Sequence, residues 1–176
     1  MGARLGSTER LDIHRPSARD RAEVTAAGRA SRDLHHPWLV APTDAEAWAG
    51  YLRRLRAARH FGFLLRAKAD RSVVGIVNVS DIILGSFRSA HLSYYAFTGH
   101  EGQGLLSEGT AWVVAHAFDR LGLHRLEANI QPGNGPSLGL ARRCGFHQEG
   151  FSPRYLFIDG DWRDHERWAL TVEDRP

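Results

Sequence analysis

Polar and apolar positions along the chain divide it into short strand patterns and longer helical ones. Leu11 and Ile13 share one face of an alternating run from Arg10 to His14, the pattern of a half-buried strand. Pro16-Ser17 then starts a helix, and a polar helix is expected from about Ala18 to Arg32, broken by His35-His36-Pro37-Trp38. Thr43-Asp44-Ala45-Glu46 carries a capping-box pattern and opens a helix to about Arg59. Its stripe is Ala47, Tyr51, Leu55 and Ala58, with Trp48 beside it. Three strand patterns follow: Phe61 to Ala67, Val73 to Val79 with an extension to Ile83, and Arg88 to Phe97. The short turns between them imply an antiparallel meander. In its third strand Leu92, Tyr94 and Ala96 face one way, and Ser93, Tyr95 and Phe97 the other.

Beyond the meander the pattern becomes strand–helix–strand. Leu106, Val113, Ala117 and Leu121 stand at helical spacing, and Gly122 is a natural end for that helix. Arg125 to Ile130 reads as a strand, and Gln131-Pro132-Gly133-Asn134 as a turn. Pro136 is a first-turn proline for a helix over about Gly135 to Arg143, which Gly145 ends. Strands are expected over Phe146 to Glu149, Ser152 to Ile158 and Trp162 to Val172, the last two joined by the Asp159-Gly160-Asp161 hairpin turn. The predicted order is β-α-α-β-β-β-α-β-α-β-β, an α/β (α+β) fold. It implies a mixed, mostly antiparallel central sheet with helices on both faces. Residues 1–9 are expected to form a flexible N-terminus, and 10–176 a single domain.

Composition narrows the function. The chain has 176 residues, 43% hydrophobic and 24% charged, as in a globular protein, and no run is long enough to span a membrane. No signal peptide is apparent, and one cysteine, Cys144, excludes an internal disulfide, so a cytoplasmic location is expected. The net charge of +3 is mild and the arginines are scattered, so neither nucleic-acid nor membrane binding is expected. His35 and His36 have no partners at metal-ligand spacing and there is no H-E-x-x-H, so no metal is expected.

The chemistry centres on Gly99-His100-Glu101-Gly102-Gln103-Gly104-Leu105-Leu106-Ser107, between the third meander strand and the helix after it. A glycine-rich turn at a helix N-terminus presents unpaired amides and the positive end of the helix dipole. It reads as a phosphate site, or as a connection that merely uses glycine. A mononucleotide P-loop is excluded because Leu105 stands where its lysine belongs, and the dinucleotide fingerprint because Ser107 takes its third glycine. Gly135-Pro136-Ser137-Leu138-Gly139 has the spacing of a hydrolase nucleophile elbow. The turn precedes the serine, however, and the 39 residues after it cannot complete that fold.

The loop resembles the acetyl-coenzyme A motif of the GNAT N-acetyltransferases, a Gln or Arg, two residues, Gly, one residue, then Gly or Ala. Here Gly99 stands in the first place. His124-Arg125-Leu126-Glu127-Ala128, Pro132-Gly133-Asn134-Gly135-Pro136-Ser137, Gly145-Phe146, Glu149-Gly150, Arg154-Tyr155, Ile158-Asp159-Gly160-Asp161-Trp162 and Asp164-His165 follow in order, and Pro37-Trp38 has a counterpart too. This series resembles the Rim-type branch, which acetylates the N-terminal alanine or serine of ribosomal proteins. The resemblance implies an acetyl-CoA-dependent acyltransferase acting on a primary amine, a protein N-terminus first, with coenzyme A as product. It implies a monomer or homodimer. By the same resemblance the pyrophosphate sits on the amides of Gly102, Gln103, Gly104, Leu105, Leu106 and Ser107. Pantetheine pairs with the edge at Tyr95, Ala96 and Phe97, with an N–H near Phe97 as oxyanion donor. Asn134 orients the pantetheine or the turn, Glu127 is the general base, and Ser137 protonates the thiolate, since Ala141 stands where other members carry a tyrosine. Trp38, Tyr94 and Tyr155 are the expected substrate wall, with acceptor loops around Leu34 to Pro42 and Phe151 to Gly160. Two alternatives remain open: a small-amine acetyltransferase acting on an antibiotic or polyamine, and a non-catalytic acyl-CoA sensor.

Overall fold

A computed structural model describes residues 2–175. In chain order the elements are β1 (Arg4–Ser7), β2 (Leu11–His14), a 3-10 turn (Ala18–Asp20), α1 (Arg21–Ala30), α2 (Arg32–His35), α3 (Ala45–Arg54), β3 (Phe61–Ala67), β4 (Val73–Ile83) and β5 (Ser89–Ala96). Then come α4 (Leu105–Asp119), β6 (Arg125–Ile130), α5 (Gly135–Arg143), β7 (His147–Ile158) and β8 (Asp161–Thr171). The strands form one eight-stranded sheet in the order β1-β2-β3-β4-β5-β6-β8-β7. Every neighbouring pair is antiparallel except β5 and β6.

Several elements differ from the expectation. The helix opened at Asp44 ends at Arg54 and not near Arg59, and a short helix, α2, follows α1. Residues 4–7, expected within a flexible terminus, form the edge strand β1, which pairs with β2 from Arg4↔His14 to Ser7↔Asp12; Met1 lies outside the described residues. The two strands expected between Phe146 and Ile158 are one, β7, irregular against β8 between Gln148 and Gly150 and between Ser152 and Leu156. Backbone pairing across the sheet carries the strand through its polar and glycine positions.

Alternation along the strands gives the sheet two different faces. On one, Leu65, Val77, Val79, Leu92, Leu126 and Leu170 meet α4 and α5 in the larger core. Gly109 lets α4 approach closely, since a Cβ there would lie 2.4 Å from Leu65 Cδ1. On the other face, Leu64, Ile76 and Phe97 pack under α1 and α3 through Val24, Trp48, Tyr51 and Leu55. Those two helices cover the β3–β4 side of the sheet, so Arg125, Glu127 and Asn129 of β6 keep partial solvent exposure. Helices on both faces are as expected.

Candidate active site

The site opens where two parallel strands part. β5 and β6 pair only at Ser89↔Arg125, Ala90↔Leu126 and His91↔Glu127. Beyond that rung Leu92–Ala96 has β4 on one side and no strand on the other. The Phe97 N–H donates to the Val74 carbonyl at 2.8 Å. Antiparallel pairing alternates, so the backbone groups of Ala96 and Tyr94 turn away from β4 and into the gap. The Phe97 amide is committed to Val74, and Phe97 itself is 1% exposed in the core under α1 and α3, so among the amides near Phe97 it is that of Ala96 that faces the gap.

Below the gap lies a cleft of about 560 Å³. Tyr94, Tyr95 and Ala96 line it from β5, Gly102, Gly104, Leu106 and Ser107 from the loop and α4, and Asn134 and Ser137 from the start of α5. Trp38 closes it from the segment after α2. Of the expected site residues, Gln103, Leu105, Phe97, Glu127 and Tyr155 do not line this cleft. Leu105 is buried in the core, and Tyr155 sits edge-on to His165, 6.1 Å between ring centres, in the distal part of the β7–β8 hairpin.

The glycines of the loop are needed for conformation. Gly99, Gly102 and Gly104 take φ of 94°, 72° and 75°, values that cost a residue with a Cβ about 1 kcal/mol or more. Gly104 is the residue before α4, and the first helical bond runs from Glu108 N–H to its carbonyl at 3.0 Å. The amides from Gly102 to Ser107 have no partner among the described residues, so six donors cluster at the positive end of a 15-residue helix. The loop braces itself: the Gln103 amide nitrogen donates to the Gly99 carbonyl at 2.7 Å, and Arg10 donates to the Gln103 carbonyl at 3.0 Å. Arg10 also pairs with Glu108 at 2.6 Å, which offsets a carboxylate in the first helical turn.

At the other wall, α5 starts on Asn134, whose side-chain oxygen accepts from the Ser137 N–H at 3.2 Å. Ser137 Oγ donates to Tyr94 Oη at 3.2 Å, and Tyr94 Oη donates to the Ser137 carbonyl at 2.9 Å. Burial pushes the Tyr94 phenol up to about 12, against the lowering effect of the Ser137 contact, so it stays protonated at neutral pH. Tyr94, expected as substrate wall, is thus joined to Ser137 in one pair of hydroxyls.

Glu127 stands on the last paired rung, opposite His91, and accepts from Arg125 Nε at 2.8 Å. The same arginine also pairs with Glu149. Two further residues line the cleft: Arg143, which in the sequence reads as a coenzyme A phosphate contact or a solvated helix arginine, and His35, in the expected acceptor loop. Arg143 donates to Ser107 Oγ at 3.3 Å from Nη2, placing a guanidinium beside the free amides, whereas its neighbour Arg142 lies 5.0 Å over the Trp168 ring. The helical offset of Arg143 from Asn134 was a signal for it, but one shared with any exposed helix arginine. His35 is 5% exposed and its Nε2 lies 2.7 Å from the Ala96 carbonyl, in the edge of the gap. Burial lowers its pKa.

A second cavity of about 400 Å³ adjoins the first on the sheet's other face and shares Leu39, Tyr94 and Tyr95 with it. Its floor is Asn78 and Ser93, and its walls are Val40, Tyr51 and Arg54. Tyr51 Oη donates to Asn78 Oδ1 at 2.8 Å, and Asn78 Nδ2 to Ser93 Oγ at 3.3 Å. Among the described residues no cluster of His, Cys, Asp and Glu suits a metal ion, and no helix is long and apolar enough to cross a membrane.

Residues 10–147 match the family described as Acetyltransferase (GNAT) domain. The chain is 30% identical over 176 residues to the ribosomal protein uS5-alanine N-acetyltransferase of Escherichia coli K12, covering 96% of this chain and 91% of that one. It superposes on Mycobacterium smegmatis RimJ, solved in complex with a CoA-disulfide, with a TM-score of 0.86 and 29% identity over 94% of this chain and 84% of the other. A spermidine N(1)-acetyltransferase of Vibrio cholerae is 26% identical over 58% of each chain.

Proposed function

Because the chain belongs to the GNAT family of acetyltransferases and is an acetyl-CoA N-acetyltransferase of that type, we propose that its acceptor is the α-amine of a protein N-terminus, on a ribosomal protein as in the relatives. The observation that carries this choice is the acceptor-side cavity. Its lining has no carboxylate, and its one charged residue is Arg54. A polyamine carries several positive charges and needs acidic groups to replace their hydration. A protein N-terminus presents one amine, with a pKa of roughly 8, and needs little help to lose its proton.

The geometry supports the following roles. The amides of Gly102 to Ser107, with Arg143 beside them, hold the pyrophosphate of acetyl-CoA, as six free donors at a helix N-terminus suit. The Tyr94 and Ala96 backbone groups that face the gap pair with the pantetheine arm and polarise the thioester carbonyl. The amine nitrogen attacks that carbonyl, the C–N bond forms and the C–S bond breaks. Ser137, with Tyr94 behind it, supplies a proton to the departing thiolate. Glu127, at the apex of the gap, takes the amine proton through solvent. A protonated hydroxyl pair at the thioester position supports an enzyme over a passive acyl-CoA sensor.

The test is thiol release from acetyl-CoA with alanine- and serine-initiated peptides and with spermidine, followed by mass mapping of the acetyl group. Peptide-dependent release with the label on the α-amine is expected. Turnover of spermidine alone would overturn the acceptor assignment, and acetyl-CoA binding without turnover of any amine would favour the sensor. Glu127→Gln is expected to lower kcat about tenfold or more if it relays the proton; an unchanged kcat would remove that role.

A further inference from the structure

Four arginines in the last turn of α3 and just beyond it have no part in the roles above. Arg53, Arg54, Arg56 and Arg59 are all exposed, and among the described residues none of them makes an ion pair. Arg54 is the one that reaches the acceptor-side cavity. Its guanidinium carbon sits 5.9 Å from the centre of the Tyr51 ring, within that cavity's wall. Its charge also reaches Tyr95, whose phenol burial raises and Arg54 lowers in turn. Arg53 lies alongside, its Nη2 3.6 Å from the position of a Cβ on Gly50, another lining residue. Glu127 and Glu149, by contrast, both pair with Arg125.

The placement of two of these residues in the last turn of α3 suits the helix dipole. That effect accounts for a basic helix end but not for a guanidinium over Tyr51 at the mouth of a cavity otherwise free of charge. Cavity and thioester gap share Tyr94 and Tyr95, so an N-terminal peptide with its amine at the gap runs its next residues past Arg54.

We propose that Arg54, backed by Arg53, selects acceptors by charge, so that the enzyme acetylates N-termini followed closely by an aspartate or glutamate and rejects those followed by lysine or arginine. This rests on the protein N-terminus as acceptor. Arginine presents a planar fork that matches a carboxylate with two parallel hydrogen bonds, which makes it a reader of acidic side chains as well as a source of field. A basic patch also fits nucleic acid, but here it borders a cavity of amino-acid dimensions joined to the reaction gap, which favours a side chain.

The experiment compares kcat/KM for serine-initiated peptides that differ only at the second and third residues, Glu, Gln or Lys. The wild type is run against Arg54→Glu and Arg54→Gln, with the KM for acetyl-CoA reporting the fold of each variant. Wild type is expected to favour the Glu over the Lys peptide by about fivefold or more, the effect of one exposed contact near 4 Å. Added salt should shrink that ratio. Arg54→Gln should bring it near one, and Arg54→Glu should invert it. A Glu-to-Lys ratio that stays within twofold of wild type in both variants would overturn the proposal. So would a wild-type enzyme with no charge preference. Competitive inhibition of peptide turnover by a short RNA oligonucleotide, lost in Arg54→Gln while the peptide ratio stays, would reassign the patch to nucleic acid. Absence of turnover on every peptide, with spermidine acetylated, would instead defeat the acceptor assignment on which the proposal rests.

Discussion

Replacing Tyr94 by Phe removes one oxygen from the pair of hydroxyls that Tyr94 and Ser137 form in the cleft wall. That oxygen donates to the Ser137 carbonyl at 2.9 Å and accepts from Ser137 Oγ at 3.2 Å. The carbonyl belongs to the first turn of α5 and retains helical hydrogen bonding, so the loss is one net hydrogen bond, about 1 kcal/mol of stability. The kinetic effect is expected to exceed this. A positioned acid contributes about 10²- to 10⁴-fold, or about 3–5 kcal/mol of barrier. If Ser137 supplies the proton and Tyr94 orients its hydroxyl, Tyr94→Phe should lower kcat about tenfold to a hundredfold with little change in the KM for acetyl-CoA. Ser137→Ala should cost at least as much. The double variant should be no worse than Ser137→Ala alone, because the two act as a unit. The phenol is held up to about 12 by burial, so no limb of the kcat–pH profile near neutrality belongs to it, and none should vanish in Tyr94→Phe. The assay is thiol release under acetyl-CoA saturation, with urea unfolding as the stability control. An unchanged kcat in Tyr94→Phe, or losses that multiply in the double variant, would refute the coupled pair.

Other predictions address binding, stability and pH. Gly104→Ala forces a Cβ onto a φ of 75° and should cost about 1–2 kcal/mol of stability and raise the acetyl-CoA KM severalfold, read by chemical unfolding and by titration. An unaltered KM would remove the loop from pyrophosphate binding. Arg66→Met leaves Asp20, which is 2% exposed, without its ion-pair partner at 3.1 Å, and should destabilise by about 3–5 kcal/mol in urea unfolding. Burial lowers the pKa values of His35, His116 and His165 below the usual 6.5. Each therefore binds its proton more readily in the unfolded chain, so stability should be full above pH 6.5 and fall as pH drops below it. A melting temperature equal at pH 8 and pH 5.5 would contradict that.

The sequence determined the elements whose periodicity is strong and local. The β3–β5 meander, α4, and α5 after its proline all stand near where hydrophobic spacing and turn residues placed them. The glycine loop was equally legible, because three of its positions take a positive φ that favours glycine. The roles of Glu127, Ser137 and Asn134 were read from resemblance; Glu127 lies on the strand and Ser137 on the helix expected, with Asn134 in the turn before that helix. What the chain alone did not disclose depends on neighbours distant in sequence. Strand β1 is only four residues long and exists through its ladder to β2. Tyr94 meets Ser137 across 43 residues, a contact set by the gap between two strands and invisible in either segment. The commitment of the Phe97 amide to Val74, and hence the turn of Ala96 into the gap, follows from sheet register, which a one-residue slip would reverse. Arg54 reads in the sequence as one arginine among many on a helix end. Only the packing of α3 over the sheet brings it to the wall of a cavity.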